Sequence, residues 1–307
     1  MTDISSGSRL SEPLYWLTPE ELQALPLSGM EKKADHILKN CFGKDGRVDM
    51  KLLEESEKEV IRHFRDIKGY LDKALLFIGR PLTGRVVDLG AGTGTLTSII
   101  SHHAGLQKAC AVEISEAYVN RIMPIVFSAT DADTSRIDRI IGNFDRLGFE
   151  DSSIDFVIEN GAFHHSDNIE LTIRETSRIL KKDGWFIGID RGHPGNLTNK
   201  DLDEMLEKPF GQKIKAIYGI PEEKHITRRD WGEHELRCCD WNHYFSKQGF
   251  RTYILSFFRP TGLSKLLWPF YRIFGDMMLK RRVFQVPYLK WFGDRKYIRT
   301  LILAQKA

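Results

Sequence analysis

The run Asp88-Leu89-Gly90-Ala91-Gly92-Thr93-Gly94 holds the strongest chemical signal in this 307-residue chain. It follows the apolar pair Val86-Val87 and precedes Leu96-Thr97-Ser98-Ile99-Ile100, which has a helical pattern. A strand would therefore pass through a glycine turn into a helix, the arrangement in which backbone N–H groups meet a ligand at a helix N-terminus. Glycine permits both the turn and the close approach. A dinucleotide fingerprint would need Gly or Ala at position 95; Thr95 stands there, which weakens a nicotinamide ligand. A second signal is Glu113, 19 residues after Gly94, at the end of the apolar run Ala109-Cys110-Ala111-Val112. At the tip of a neighbouring strand such a carboxylate can accept two ribose hydroxyls at once. The plainer alternative is an acid solvated at a strand end.

Histidines supply the candidates for proton transfer. His164 and His165 follow the apolar run Ile154 to Ile158, and His193 follows Trp185 to Ile189. Imidazole titrates near neutrality, so each could serve as a base. Asp190 is a further possibility, and for each residue alone a capping or packing role stays open. The adjacent pairs His102-His103, His164-His165 and Cys238-Cys239 lack metal-ligand spacing, and no metal site is expected.

Positioning these residues requires a repeated strand-and-helix pattern. Short apolar runs recur at Val86-Val87, Ala109 to Val112, Arg139 to Ile141, Ile154 to Ile158 and Trp185 to Ile189, with helical patterns between them. Their spacing of roughly 20 to 30 residues predicts an α/β fold with a doubly wound, mostly parallel sheet. Phe250 to Phe257 and Tyr297 to Leu303 predict a closing antiparallel pair. Upstream, Val60, Ile61, Phe64, Ile67, Leu71 and Leu75 recur at helical spacing. Residues 1–80 are thus expected to form a helical N-terminal cap on a domain spanning 81–307.

The Asp88-x-Gly90-x-Gly92-x-Gly94 turn with Glu113 resembles the first motif of the class I S-adenosylmethionine-dependent methyltransferases. Two later stretches extend the likeness. Ile141-Gly142-Asn143-Phe144-Asp145 is similar to that family's adenine-contacting loop, with a neutral Asn143 where an acid is common; its amide oxygen can still accept from adenine. Glu159 to His165, followed by Glu175 to Gly184, resembles the family's small-molecule branch, with Arg178 and Glu175 in structural roles. The resemblance implies a Rossmann-like fold and S-adenosylmethionine as cofactor, held by Asp88, Gly90, Gly92, Gly94, Glu113, Asn143, Phe144 and Glu159. Phe144 could stack on adenine or simply pack in its loop. The implied reaction is methylation of a small or lipid-like molecule, at oxygen first and carbon second. Other readings are a methyltransferase-like binding or partner subunit, a nucleic-acid methyltransferase and, more weakly, an oxidoreductase. The nucleobase-amine branch has an Asn/Asp-Pro-Pro-aromatic segment where this chain has Glu159-Asn160-Gly161-Ala162, which argues against DNA.

Composition bounds the rest. With 41% hydrophobic and 28% charged residues the chain can bury a full core. The net charge of +3 hides an asymmetry, since 11 Lys and Arg face 2 Asp and Glu from Ser256 onward. Within that region the insert 259–296 interleaves Trp268, Tyr271, Phe274 and Trp291 with Lys265, Arg272, Arg281 and Arg282. It is expected to lie over the substrate face, as a lid, as a peripheral contact to anionic membrane, or as a single-strand nucleic-acid surface. The scattered cysteines and the lack of a leader or spanning segment point to the cytoplasm, at most peripheral to a membrane.

Overall fold

A computed structural model of the chain describes residues 10–25, 34–35, 65–217, 220–257 and 299–307. The insert 259–296 and most of residues 1–64 lie outside them.

Eight described strands form one sheet: β1 (Leu14–Tyr15), β2 (Gly84–Leu89), β3 (Leu106–Glu113), β4 (Ile137–Ile141), β5 (Ile154–Asn160), β6 (Leu180–Arg191), β7 (Phe250–Phe257) and β8 (Arg299–Lys306). Their order is β1-β4-β3-β2-β5-β6-β8-β7. All neighbours from β1 to β6 are parallel, while β8 is antiparallel to both β6 and β7. The parallel strands read as near-continuous apolar runs because they are covered on both faces. One face packs Ile67, Leu71 and Phe77, from the helix over residues 65–78, against Val86, Ile158, Ile187 and Leu301, together with Ile99, Met123 and Phe127. Helices among the described residues include α1 (Pro19–Ala24), α2 (65–78), α3 (Thr95–Ser101), α4 (Met123–Ala129), α5 (Ile169–Ile179), α6 (Asn199–Leu206), α7 (Gln212–Ile217) and α8 (Cys238–Lys247). The other face packs Ile173 and Ile179 of α5 and Trp241 and Phe245 of α8 against Leu89, Val157, Phe186 and Ile302. Trp241 and Phe245 are fully buried, and truncating either would cost about 3–5 kcal/mol.

Two departures from the sequence pattern are informative. Leu14 and Tyr15 form an edge strand paired with Ile140 and Ile141, so the N-terminal segment is not wholly helical. The described part of the expected helix, residues 65–78, is helical. The helix before Gly184 stops at Ile179, because fully buried Leu180 already pairs with Ile154 in the sheet. Arg178, in the last turn of α5, binds Glu175, Asp151 and the carbonyls of Leu147 and Phe149, which bears out its structural role. At the other end of α5 the Asn168 side chain accepts from Leu171 N and starts the helix.

Candidate active site

The carboxyl ends of β2, β3, β4, β5 and β6 bring the candidate residues together. At β2 the chain turns through Gly90, Gly92 and Gly94 at φ of 69°, 52° and 82°, all in the left-handed region that favours glycine. The turn is tied to β3, since Gly90 N and Ala91 N both donate to the Val112 carbonyl, at 2.9 and 3.0 Å. The three glycines differ in what surrounds them. A Cβ at Gly90 would meet Ala162 Cβ at 2.4 Å, and one at Gly94 would meet Phe127 at 2.7 Å. At Gly92 a Cβ would meet only Gly90 O, at 4.0 Å. Gly90 and Gly94 are therefore packing requirements, whereas Gly92 borders open space into which a ligand fits.

Glu113 sits at the end of β3, 4% exposed, beside that opening. Its Oε2 accepts from Gly92 N at 2.8 Å, and its Oε1 accepts from Ile114 N and Ser115 N at 2.9 and 3.0 Å. The acid is thus built into the glycine turn and not loosely solvated. On the other side, Gly142 N donates to the Glu113 carbonyl at 3.1 Å and begins the loop carrying Asn143 and Phe144. Asn143 Oδ1 accepts from Asp145 N at 3.2 Å, which uses one of its two lone pairs. Phe144 lies half-buried between the turn and Phe163, its ring 6.1 Å from that of Phe163 and its edge against Gly90.

Asp88 points the other way. Strand alternation places it on the face of α3, where its Oδ2 accepts from Thr97 Oγ1 at 2.6 Å. Burial, reinforced by the charge of Glu113 and partly offset by Thr97, pushes its carboxyl up to about 7. A carboxyl that keeps its proton longer when folded than when unfolded contributes stability below its ordinary value near 4, roughly. That stability is lost as pH rises through the folded value. Asp88→Asn cannot lose the proton, so its stability relative to the native protein should rise between pH 5 and pH 8 by something on the order of 2–4 kcal/mol. Thermal melts at both values check this; a constant difference would contradict it.

Glu159 and Asp190 lie on the opposite face, on β5 and β6, with Gly188 beside Glu159 leaving room for its side chain. Both are buried. Glu159 Oε2 accepts from Ala162 N at 2.9 Å, while its Oε1 has no partner among the described atoms. Burial first, and the nearby Asp190 second, raise this carboxyl well above the usual range. Burial acts on Asp190 too, but His164 and the N–H groups of Arg191 and His164 outweigh it and keep Asp190 ionised. Asp190 Oδ1 lies 2.7 Å from His164 Nδ1. With Asp190 charged, Nδ1 carries a proton, and in the neutral ring Nε2 presents a lone pair. That Nε2 is buried and has no partner among the described residues.

The remaining histidines are placed differently. His165 is exposed and its ring lies 4.2 Å from that of His164. His193 is engaged through Nε2 with Glu235 at 2.5 Å. It belongs to an ionic network in which Arg191 and Arg228 both contact Glu233 and Glu235. Glu235 is 1% exposed in its side chain; burial alone would raise it, but His193 and the two arginines hold it below the usual range. This network fastens residues 228–235 over the end of β6. Sequence reading missed it, since its partners lie some 40 residues apart.

A methyltransferase domain model matches residues 87–188, from the glycine turn to β6. Over that stretch the chain carries a methyltransferase domain. The sarcosine/dimethylglycine N-methyltransferase of Halorhodospira halochloris is 28% identical over 159 residues, covering 52% of this chain and 54% of that relative. The 24-methylenesterol C-methyltransferase 2 of Oryza sativa subsp. japonica is 26% identical over 144 residues, 47% of this chain and 39% of that one. The chain spans about half the length of the curated relatives it matches. Among solved structures, the YcgJ protein of Bacillus subtilis matches 76% of this chain and 98% of its own, at 19% identity and a TM-score of 0.49. S-adenosylmethionine is the cofactor of the methyltransferase domain, and Gly92 and Glu113 lie hydrogen-bonded side by side at the turn. No helix among the described residues is long and apolar enough to cross a membrane.

Proposed function

We propose that this methyltransferase acts on a small molecule whose acceptor atom must lose a proton, a hydroxyl oxygen in the first instance. The observation that carries this reading is His164, whose Nε2 is buried without a partner while Nδ1 is fixed by Asp190. A buried polar atom left unpaired costs about 1–3 kcal/mol, a cost that a substrate proton would remove. His164 is the base, and Asp190 sets its tautomer and stabilises the imidazolium that forms. When protonated, Glu159, whose Oε1 has no partner among the described residues, offers an O–H to the cofactor's carboxylate end or to the substrate.

When bound, S-adenosylmethionine supplies an electrophilic methyl carbon on a sulfonium. The chain supplies position. Gly92 leaves room for the cofactor, Glu113 receives its ribose hydroxyls, and Asn143 and Phe144 meet adenine. Such an in-line transfer dissipates charge and depends chiefly on alignment, so the one chemical demand on the protein is removal of the acceptor's proton. Relatives named for N- and C-methylation share the domain, and the choice of oxygen rests on the base.

Methyl-labelled S-adenosylmethionine incubated with the protein and panels of small hydroxyl, amine and activated-carbon acceptors tests this. Label should enter the hydroxyl panel with release of S-adenosylhomocysteine; label confined to amines would overturn the oxygen assignment. Glu113→Ala should weaken S-adenosylmethionine binding about 5- to 150-fold, the range for losing charge-assisted hydrogen bonds. Unchanged affinity in a folded variant would remove Glu113 from the cofactor site.

The chain leaves β7 at Phe257 and is in β8 again at Arg299, both level with Arg191 at the carboxyl end of β6. An anionic or lipid-like acceptor meeting Arg281 and Arg282 follows as part of this proposal, and both residues lie outside the described ones.

A further inference from the structure

The N-terminal arm reaches the back of the loop that carries Asn143 and Phe144. Trp16 N donates to the Ile141 carbonyl at 2.9 Å, directly after the β1–β4 pairing. Its indole then lies on two glycines at once. A Cβ at Gly142 would stand 2.8 Å from Trp16 Cε3, and one at Gly148 would stand 2.7 Å from Cε2 and 2.8 Å from Nε1. Neither glycine is at a positive φ, so what requires glycine there is contact with the indole and not backbone conformation. The ring also meets Phe149 edge-on, with centroids 4.8 Å apart.

Independent contacts hold the arm in place. Buried Arg139 on β4 donates from Nη2 to the Ser11 carbonyl at 2.6 Å and from Nη1 to Val119 O at 2.8 Å. Arg146, inside the loop, pairs with Glu21 at 2.8 Å, and Glu21 closes a capping box with Thr18 at the start of α1. From the far side the loop is gripped by α5, where Leu147 N donates to Glu175 and Arg178 binds the Leu147 carbonyl. The loop is thus held between α5 and the indole, with the Glu113 carbonyl at its entrance.

We infer that Trp16 is a positioning residue for the cofactor, setting the loop of Asn143 and Phe144 at the distance from Glu113 that adenine requires. The inference rests on the reading of that loop as the adenine-contacting one. Trp16 touches no reacting atom, and its effect belongs in cofactor affinity and not in the chemical step.

Trp16→Ala should weaken S-adenosylmethionine binding by about tenfold while kcat at saturating cofactor stays within about twofold. Hydrogen exchange should quicken at residues 142–149 and stay unchanged in α3. Trp16→Phe, which keeps an aromatic face and most of the packing, should recover most of the affinity and serves if the alanine variant does not fold. Gly148→Ala approaches the same contact from the loop side. It should weaken binding in the native background and add nothing in Trp16→Ala, because the indole it displaces is already gone. Affinity within about twofold in Trp16→Ala, or additive losses in the double variant, would overturn the inference. If the native protein binds S-adenosylmethionine and Glu113→Ala weakens it, such a result sinks Trp16's role alone; if the native protein does not bind it, the underlying cofactor reading fails first.

Discussion

Replacing His164 by Gln should lower kcat by about 10²–10⁴-fold and leave S-adenosylmethionine affinity within about twofold. Glutamine keeps a polar side chain of similar reach but cannot take up a proton. The ring it replaces is 6% exposed and hydrogen-bonded to Asp190 on one nitrogen only. Asp190→Asn provides the companion result. An asparagine oxygen can still accept from Nδ1–H, but the negative charge that stabilises an imidazolium is gone, so kcat should fall by a similar order with cofactor affinity preserved. The double variant should be little worse than either single one, since the two residues act as a unit. Single-turnover rates at saturating cofactor measure this. Full activity in His164→Gln would transfer the role of base to His165 or His193, or show that the acceptor has no proton to lose.

The second large effect is expected at the glycine turn. Gly92→Val should reduce S-adenosylmethionine affinity by about a thousandfold or more, some 4 kcal/mol. The isopropyl group would enter the space assigned to the ligand, because among the described residues the nearest atom to a Cβ there, apart from its chain neighbours, is Gly90 O at 4.0 Å. The φ of 52° adds a backbone cost of about 1–2 kcal/mol, so the variant should fold with a modestly lower melting temperature. Gly90→Val is the contrasting control. There the side chain would strike Ala162 and Phe144, and loss of the fold itself is expected. A folded Gly92→Val protein that binds as tightly as the native one would place the ligand elsewhere.

The parallel strands, the glycine turn and Glu113 were legible in the sequence because each is a local pattern: an apolar run, a Gly-x-Gly-x-Gly spacing, an acid at a strand end. The closing antiparallel pair was legible for the same reason. The choice among histidines was not. His164 and His165 are neighbours of identical chemistry, and what separates them is Asp190, 26 residues away on the next strand. The orientation of Asp88 follows from strand alternation, which sets it on the face of Val86 and Ile158, but the motif alone groups it with the ligand-facing residues. The arm was hidden for a different reason. A two-residue strand carries no periodicity, and the fit of Trp16 to Gly142 and Gly148 joins positions more than 120 residues apart.

Calorimetric titration of the native protein with S-adenosylmethionine and, separately, with NAD tests the cofactor site most directly. One equivalent of S-adenosylmethionine should bind with micromolar or tighter affinity, about −8 kcal/mol or below, and NAD should give no saturable heat. Saturable NAD binding, or no binding of S-adenosylmethionine to the folded protein, would contradict the assignment of the Gly92–Glu113 cleft.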